Sequence, residues 1–193
     1  YFLEQNHCIM PSSEQLSQLH VQLAAADDKN PAVKVGQYYL RRFKGRLFLT
    51  ADFEDVSEWQ TDLLLAKTSC KVVLPNKLGK VNCVITTANE IDENSQYLKL
   101  PKPGQKITMG FAHTNPKCLP DYRQHSRSLK KVLQELAIPP WQRKRIPFLY
   151  YDDTLVAAVG LFVCQAYMAN REKHPLSQKI ETTEPRVKIT WAQ

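Results

Sequence analysis

Glycine is scarce in this sequence, with 6 in 193 residues, and no two are adjacent. A Gly-rich cradle for a nucleotide phosphate is therefore missing. The 5 cysteines (Cys8, Cys70, Cys83, Cys118 and Cys164) are odd in number and never spaced Cys-x-x-Cys. That argues against a disulfide framework and a tetrahedral zinc site, and favours thiols in a reducing cytoplasm. The 5 histidines never fall at His-x-x-x-His spacing, so a helical metal pair is missing as well. No metal and no cofactor are expected in this chain. The longest apolar runs, Leu63 to Ala66 and Leu155 to Cys164, are shorter than the ~18–20 residues of a spanning helix. Tyr1 to His7 carries no basic region and no cleavage-like site of a signal peptide. Tyr1 to Asn6 reads as the last turns of a helix. With no Met at the start, we expect the C-terminal portion of a longer protein.

What is present is positive charge, and it is segregated. The net charge is +7. Lys117 to Arg145 holds eight Lys and Arg against two acids. A second cluster, Arg41-Arg42-Phe43-Lys44-Gly45-Arg46, contains no acid. Acids gather elsewhere, at Asp52 to Asp62 and at Glu90 to Glu93. Such patterning points to basic surfaces and an anionic partner.

The pattern along the chain predicts an α+β protein of two small domains. In the first, residues 1–56, Ser12 and Gln15 have capping-box spacing. Leu16, Leu19 and Leu23 then form an apolar stripe, and Asp27 to Pro31 ends the helix. Val33 to Val35 reads as a short strand. Tyr38 to Phe43 and Arg46 to Thr50 flank Lys44-Gly45 and read as a hairpin with Lys44 at its tip. Asp52 to Glu58 reads as a linker. The second domain, residues 57–193, is mainly β and sandwich-like. Strands are expected at Asp62–Ala66, Lys71–Leu74, Val81–Thr87, Gln96–Leu100, Lys106–Ala112, Phe148–Tyr151, Thr154–Phe162 and Arg186–Thr190. One helix, capped by Ser126 or Ser128, buries Leu129, Val132, Leu133 and Leu136. It exposes Arg127, Lys130, Lys131 and Gln134. Pro140 at a first helical position starts one further turn. Pro175 to Pro185 reads as a polar loop.

Three other groups invite chemistry. Cys118 and His113 have no third group to orient them as a nucleophile pair. Asp152-Asp153 reads as a turn rather than an acid/base site. Trp141 reads as a residue that locks its turn onto the sheet rather than as a base-stacking platform.

Ser128-Leu129-Lys130-Lys131, then Ile138-Pro139-Pro140-Trp141-Gln142-Arg143-Lys144-Arg145-Ile146-Pro147, then Phe148 to Gly160, closely resembles the C-terminal domain of the bacterial tRNA(Ile)-lysidine synthetase family. Met10-Pro11-Ser12-Ser13-Glu14-Gln15-Leu16 through Tyr39 to Leu49 resembles that family's substrate-recognition domain, and the two occur in the family's order. The resemblance implies a cytoplasmic ligase that joins lysine to the wobble cytidine of the isoleucine tRNA with a CAU anticodon. ATP and lysine would bind an N-terminal domain with a Ser-Gly-Gly-x-Asp-Ser loop, which this chain does not contain. This chain would then be catalytically inactive alone and would recognise tRNA, with the first domain near the anticodon stem and the second on the acceptor stem. A homodimer is left open. The expected tRNA-binding residues are Arg41, Arg42, Lys44, Arg46, Arg127, Lys130, Lys131, Arg143 and Arg145. The competing reading is a generic basic nucleic-acid-binding module, DNA-binding or ribosome-associated.

Overall fold

A computed structural model describes residues 12–24, 31–65, 69–87, 92–169 and 184–192. The expected helix end at Tyr1 to Asn6 and most of the Pro175 to Pro185 loop lie outside the described residues. The chain divides into two units, Tyr1–Glu54 and Asp55–Gln193.

In the first unit, α1 (Ser13–Leu23) accompanies β1 (Ala32–Val35), β2 (Tyr38–Phe43) and β3 (Arg46–Ala51). The strands form one antiparallel sheet in the order β1-β2-β3. Lys44 and Gly45 both have positive φ, at 47° and 72°, as a two-residue turn that follows strand twist requires. Leu19 packs from the helix onto Val35 and Leu40, with Val33, Tyr38 and Leu49 around them. Leu16 departs from the expected stripe. It is 43% exposed, so Leu19 alone of the pair Leu16 and Leu19 enters the core.

Two large antiparallel sheets build the core of the second unit. One runs β13-β12-β11-β8-β4, from β4 (Gln60–Asp62), β8 (Ile107–Gly110), β11 (Phe148–Tyr151), β12 (Thr154–Ala158) and β13 (Phe162–Val163). The other runs β5-β6-β14-β7, from β5 (Ser69–Val73), β6 (Lys80–Thr86), β7 (Gln96–Lys99) and β14 (Arg186–Ala192). Their facing side chains form a common core, including Met109, Leu149, Tyr151 and Val156 from the first sheet and Val81, Leu98, Val187 and Ile189 from the second. The other face of the five-stranded sheet is covered too. Phe148, Leu155, Ala158 and Phe162 pack under α2 (Leu129–Glu135) through Leu129, Val132 and Leu133. Strands buried on both faces read as continuous apolar runs, which is why Phe148-Leu149 and Leu155 to Val159 show no alternation. A register shift between Leu149 and Tyr150 lets Val156 and Ala157 face the same core. Burying each of these large side chains contributes about 1.5–3 kcal/mol.

Several expectations need correction. The reading of Asp52 to Glu58 as linker fails beyond Glu54: Val56 is 6% exposed in the core, and Trp59 packs on Phe111 with ring centroids 5.5 Å apart. The strand expected at Asp62–Ala66 ends at Asp62, and Ala66 lies outside the described residues. The strand expected to run from Thr154 to Phe162 is two strands. Gly160, at φ 79°, sits in the turn between β12 and β13. Gln96 reaches over from the other sheet, donating to Ala158 O at 3.2 Å and accepting the Gly160 N–H at 2.9 Å. Two short strands, β9 (Lys117–Cys118) and β10 (Arg127–Ser128), pair just before α2.

Candidate nucleic-acid interface

The two basic clusters lie on different units, and each is built differently. In the first unit the strand pleat divides the hairpin. Alternate residues share a face, so Tyr38, Leu40 and Arg42 point to the helix side of β2, while Tyr39, Arg41 and Phe43 point away. Opposed residues add Lys34 from β1 and Arg46, Phe48 and Thr50 from β3 to that outer face. Arg41 Nε donates to Thr50 Oγ1 at 2.9 Å, and its guanidinium lies 4.9 Å from the centroid of the Tyr39 ring. Lys34 Nζ lies 5.8 Å from the same ring, and Lys44 Nζ 5.9 Å from the Phe43 ring. Lys34, Lys44 and Arg46 are exposed, and Tyr39, Arg41, Phe43 and Phe48 are half-buried. The expected set Arg41, Arg42, Lys44 and Arg46 is therefore not one surface. Arg42 belongs to the helix side, and Lys34 joins the outer face.

In the second unit the cluster surrounds the start of α2. Ser128 occupies the N-cap position but makes no side-chain capping bond. A side-chain oxygen from a distant loop does that work: Asn115 Oδ1 accepts the Lys130 N–H at 2.8 Å. The Leu129 N–H donates to Pro116 O at 2.9 Å, and His113 Nδ1 accepts the Asn115 N–H at 3.0 Å. This loop fixes the helix where its free N–H groups would otherwise need partners. Lys130 and Lys131 are exposed on the helix. Arg127, expected on the same helix, instead sits on β10 and is exposed. Lys117, also exposed, lies opposite Ser128 on β9 and extends this basic edge. Its signal in the sequence was the charge run itself. Glu135 is the one acid of α2, and its carboxylate is paired with Arg123.

Arg143 and Arg145 have internal duties. Arg143 Nε donates to Ile138 O at 2.7 Å, and burial draws its guanidinium below the usual arginine range. Arg145 Nη2 donates to the main-chain oxygen of Asn76 at 3.2 Å and to its side-chain oxygen at 2.9 Å. Both are half-buried. They tie the α3 turn (Pro140–Arg143) to its surroundings. Trp141 in that turn is half-buried.

The remaining candidates are accounted for by packing. Cys118 is buried in the core beneath α2, and burial raises its thiol, the wrong direction for a thiolate nucleophile. Asp152, at φ 51°, accepts the Lys106 N–H at 3.0 Å and Gln105 Nε2 at 3.0 Å, so its carboxylate holds a turn. Among the described residues no group of three His, Cys, Asp or Glu is placed to hold a metal ion, and no helix is long and apolar enough to cross a membrane.

Comparison with known proteins bears on both units. A family model described as "TilS substrate C-terminal domain" matches residues 107–180, and one described as "TilS substrate binding domain" matches residues 1–48. The tRNA(Ile)-lysidine synthase of Serratia proteamaculans is 38% identical over 171 residues, covering 86% of this chain and 36% of that protein. That of Photorhabdus laumondii is 36% identical over 155 residues, covering 80% and 32%. That of Vibrio vulnificus is 33% identical over 160 residues, covering 82% and 35%. The chain thus spans about a third of the length of the curated relatives it matches. A solved structure titled "Crystal structure of TILS C-terminal domain" aligns with a TM-score of 0.44 at 12% identity, covering 64% of this chain and 95% of that one.

Proposed function

From the premise that this chain belongs to the tRNA(Ile)-lysidine synthase family, through its substrate-binding and C-terminal domains, we propose that it is the tRNA-holding portion of such an enzyme. The whole enzyme would ligate lysine to the wobble cytidine of the CAU isoleucine tRNA, at the expense of ATP. It would work in the cytoplasm. The observation that carries the binding role is the exposed basic edge Lys117, Arg127, Lys130 and Lys131, whose only helical acid is already paired.

An A-form stem offers phosphates and 2′-hydroxyls across a wide, shallow minor groove, and its deep major groove is closed to side chains. A rigid helix start presenting two ammonium groups suits that surface, and the Asn115 cap keeps it rigid. Linked contacts on two units strengthen one another when a single ligand spans both. The chain contributes no Gly-rich phosphate loop, so adenylation of the tRNA would fall to another part of the enzyme.

Competition binding tests the reading. Labelled tRNA bound to this chain should be displaced by unlabelled CAU isoleucine tRNA far better than by duplex DNA or heparin of equal phosphate content. Equal displacement by all three would leave only a general polyanion binder. The chain alone should show no exchange of pyrophosphate into ATP.

A further inference from the structure

The outer face of β1–β3 differs from an ordinary solvated sheet face. Val35 and Leu40 are buried on the helix side, and no residue of the outer face is buried. Yet the outer face carries Tyr39, Phe43 and Phe48, side chains that a solvent face has little use for. Cations stand among them: Lys34 and Arg41 at the Tyr39 ring, Lys44 at the Phe43 ring, and Arg46 opposite Phe43. Lys34 Nζ lies 3.8 Å from the Asp52 carboxylate, with both side chains 60% exposed. Such a pair gives way readily to a polyanion.

We propose that this face is a stacking platform for unpaired RNA bases, with Tyr39, the Arg41 guanidinium and Phe43 as successive planes. The proposal rests on the RNA-binding reading above and refines it. Paired bases are stacked on one another and hide their faces, so an aromatic platform has no use for a stem. Single-stranded bases stack on aromatic rings and on guanidinium planes while nearby cations follow the phosphates. The Thr50 hydroxyl holds Arg41 beside Tyr39 before any ligand arrives, which lowers the cost of ordering that side chain on binding. An excess of cations over acids favours RNA here over a protein partner.

The test uses the whole chain, a single-stranded oligouridylate and a blunt RNA duplex of equal length. Tyr39→Leu keeps an apolar side chain without a ring, and Arg41→Lys keeps the charge without the plane. Each should weaken oligouridylate binding by about tenfold, the order expected for loss of one stacked base. Duplex binding should hold within about twofold. If Tyr39→Leu alters the melting profile, Arg41→Lys decides. Unchanged oligouridylate affinity in Arg41→Lys overturns the platform and leaves the face to a protein partner. A wild-type chain that binds duplex or tRNA but not oligouridylate overturns the platform alone. A wild-type chain that binds no RNA overturns the tRNA-holding role as well.

Discussion

The side chain of Asn115 holds the main chain of Lys130: its Oδ1 accepts the Lys130 N–H at 2.8 Å across fifteen positions of sequence. Asn115 also adopts φ 59°, a conformation that asparagine tolerates better than most residues. One residue thus shapes the loop and caps the helix whose ammonium groups face solvent. Asn115→Ala should cost about 1 kcal/mol through loss of the cap. In a chain of this size that lowers the melting temperature by about 2–4 °C. Asn115→Asp keeps the acceptor and should melt close to the wild type.

Arg145 and Lys131 carry the same charge and should respond in opposite ways. Arg145→Ala removes two hydrogen bonds to Asn76 from a half-buried guanidinium, at about 1–3 kcal/mol. Its effect on tRNA binding should vanish once the folded fraction is accounted for. Lys131→Glu should leave melting within about 0.5 kcal/mol of the wild type, as exposed substitutions usually do. It should weaken tRNA binding. Melting curves and filter binding on the two variants separate a fastener from a contact.

Gly160 should tolerate no side chain. Its φ is 79°, and a Cβ there would lie 3.0 Å from Trp191 Cε3. Trp191 has little room to yield, because its Nε1 donates to Leu78 O at 2.8 Å. Gly160→Ala should destabilise by about 1–3 kcal/mol, read as a lower denaturant midpoint.

The thiols set an alkaline limit. Burial pushes Cys83 and Cys164 up to about 12. An unfolded thiol titrates near ~8.5. The fold therefore favours the protonated form. That contribution is whole below the unfolded value and is lost as pH rises from there toward 12. Stability should decline over this window. Cys83→Ala and Cys164→Ala should start less stable, from the cavities they leave, but decline less steeply. Denaturant titrations at a series of alkaline pH values check this.

Much of the architecture is written in local pattern. Lys44-Gly45 between two aromatic runs specifies a hairpin because few residue pairs accept two positive φ values. The apolar runs at Phe148 and Leu155 announce buried strands. The same runs hid the break at Gly160: burial on both faces erases the alternation that would mark where β12 ends. The site was legible as charge but not as function. Lys131 and Arg145 look alike in sequence, and only the Asn76 turn, placed beside Arg145 by the fold, sets them apart. The Asn115 cap comes from a loop that precedes the helix, so no capping motif records it. In the hairpin, the pleat assigns Arg41 and Arg42 to opposite faces, which treating the run as one patch overlooks.

The most direct test of two separate RNA-binding surfaces is the salt dependence of binding, measured with full tRNA and with an acceptor-stem minihelix. Each neutralised phosphate contributes roughly 0.7–0.9 to the slope of log affinity against log salt. Lys130→Glu/Lys131→Glu should lower the slope by about two for both ligands, with the melting profile unchanged. Arg41→Ala/Arg46→Ala should lower it for full tRNA and leave the minihelix nearly indifferent. A minihelix as sensitive to Arg41 and Arg46 as to Lys130 and Lys131 would contradict the account, and so would a full tRNA whose slope ignores either pair.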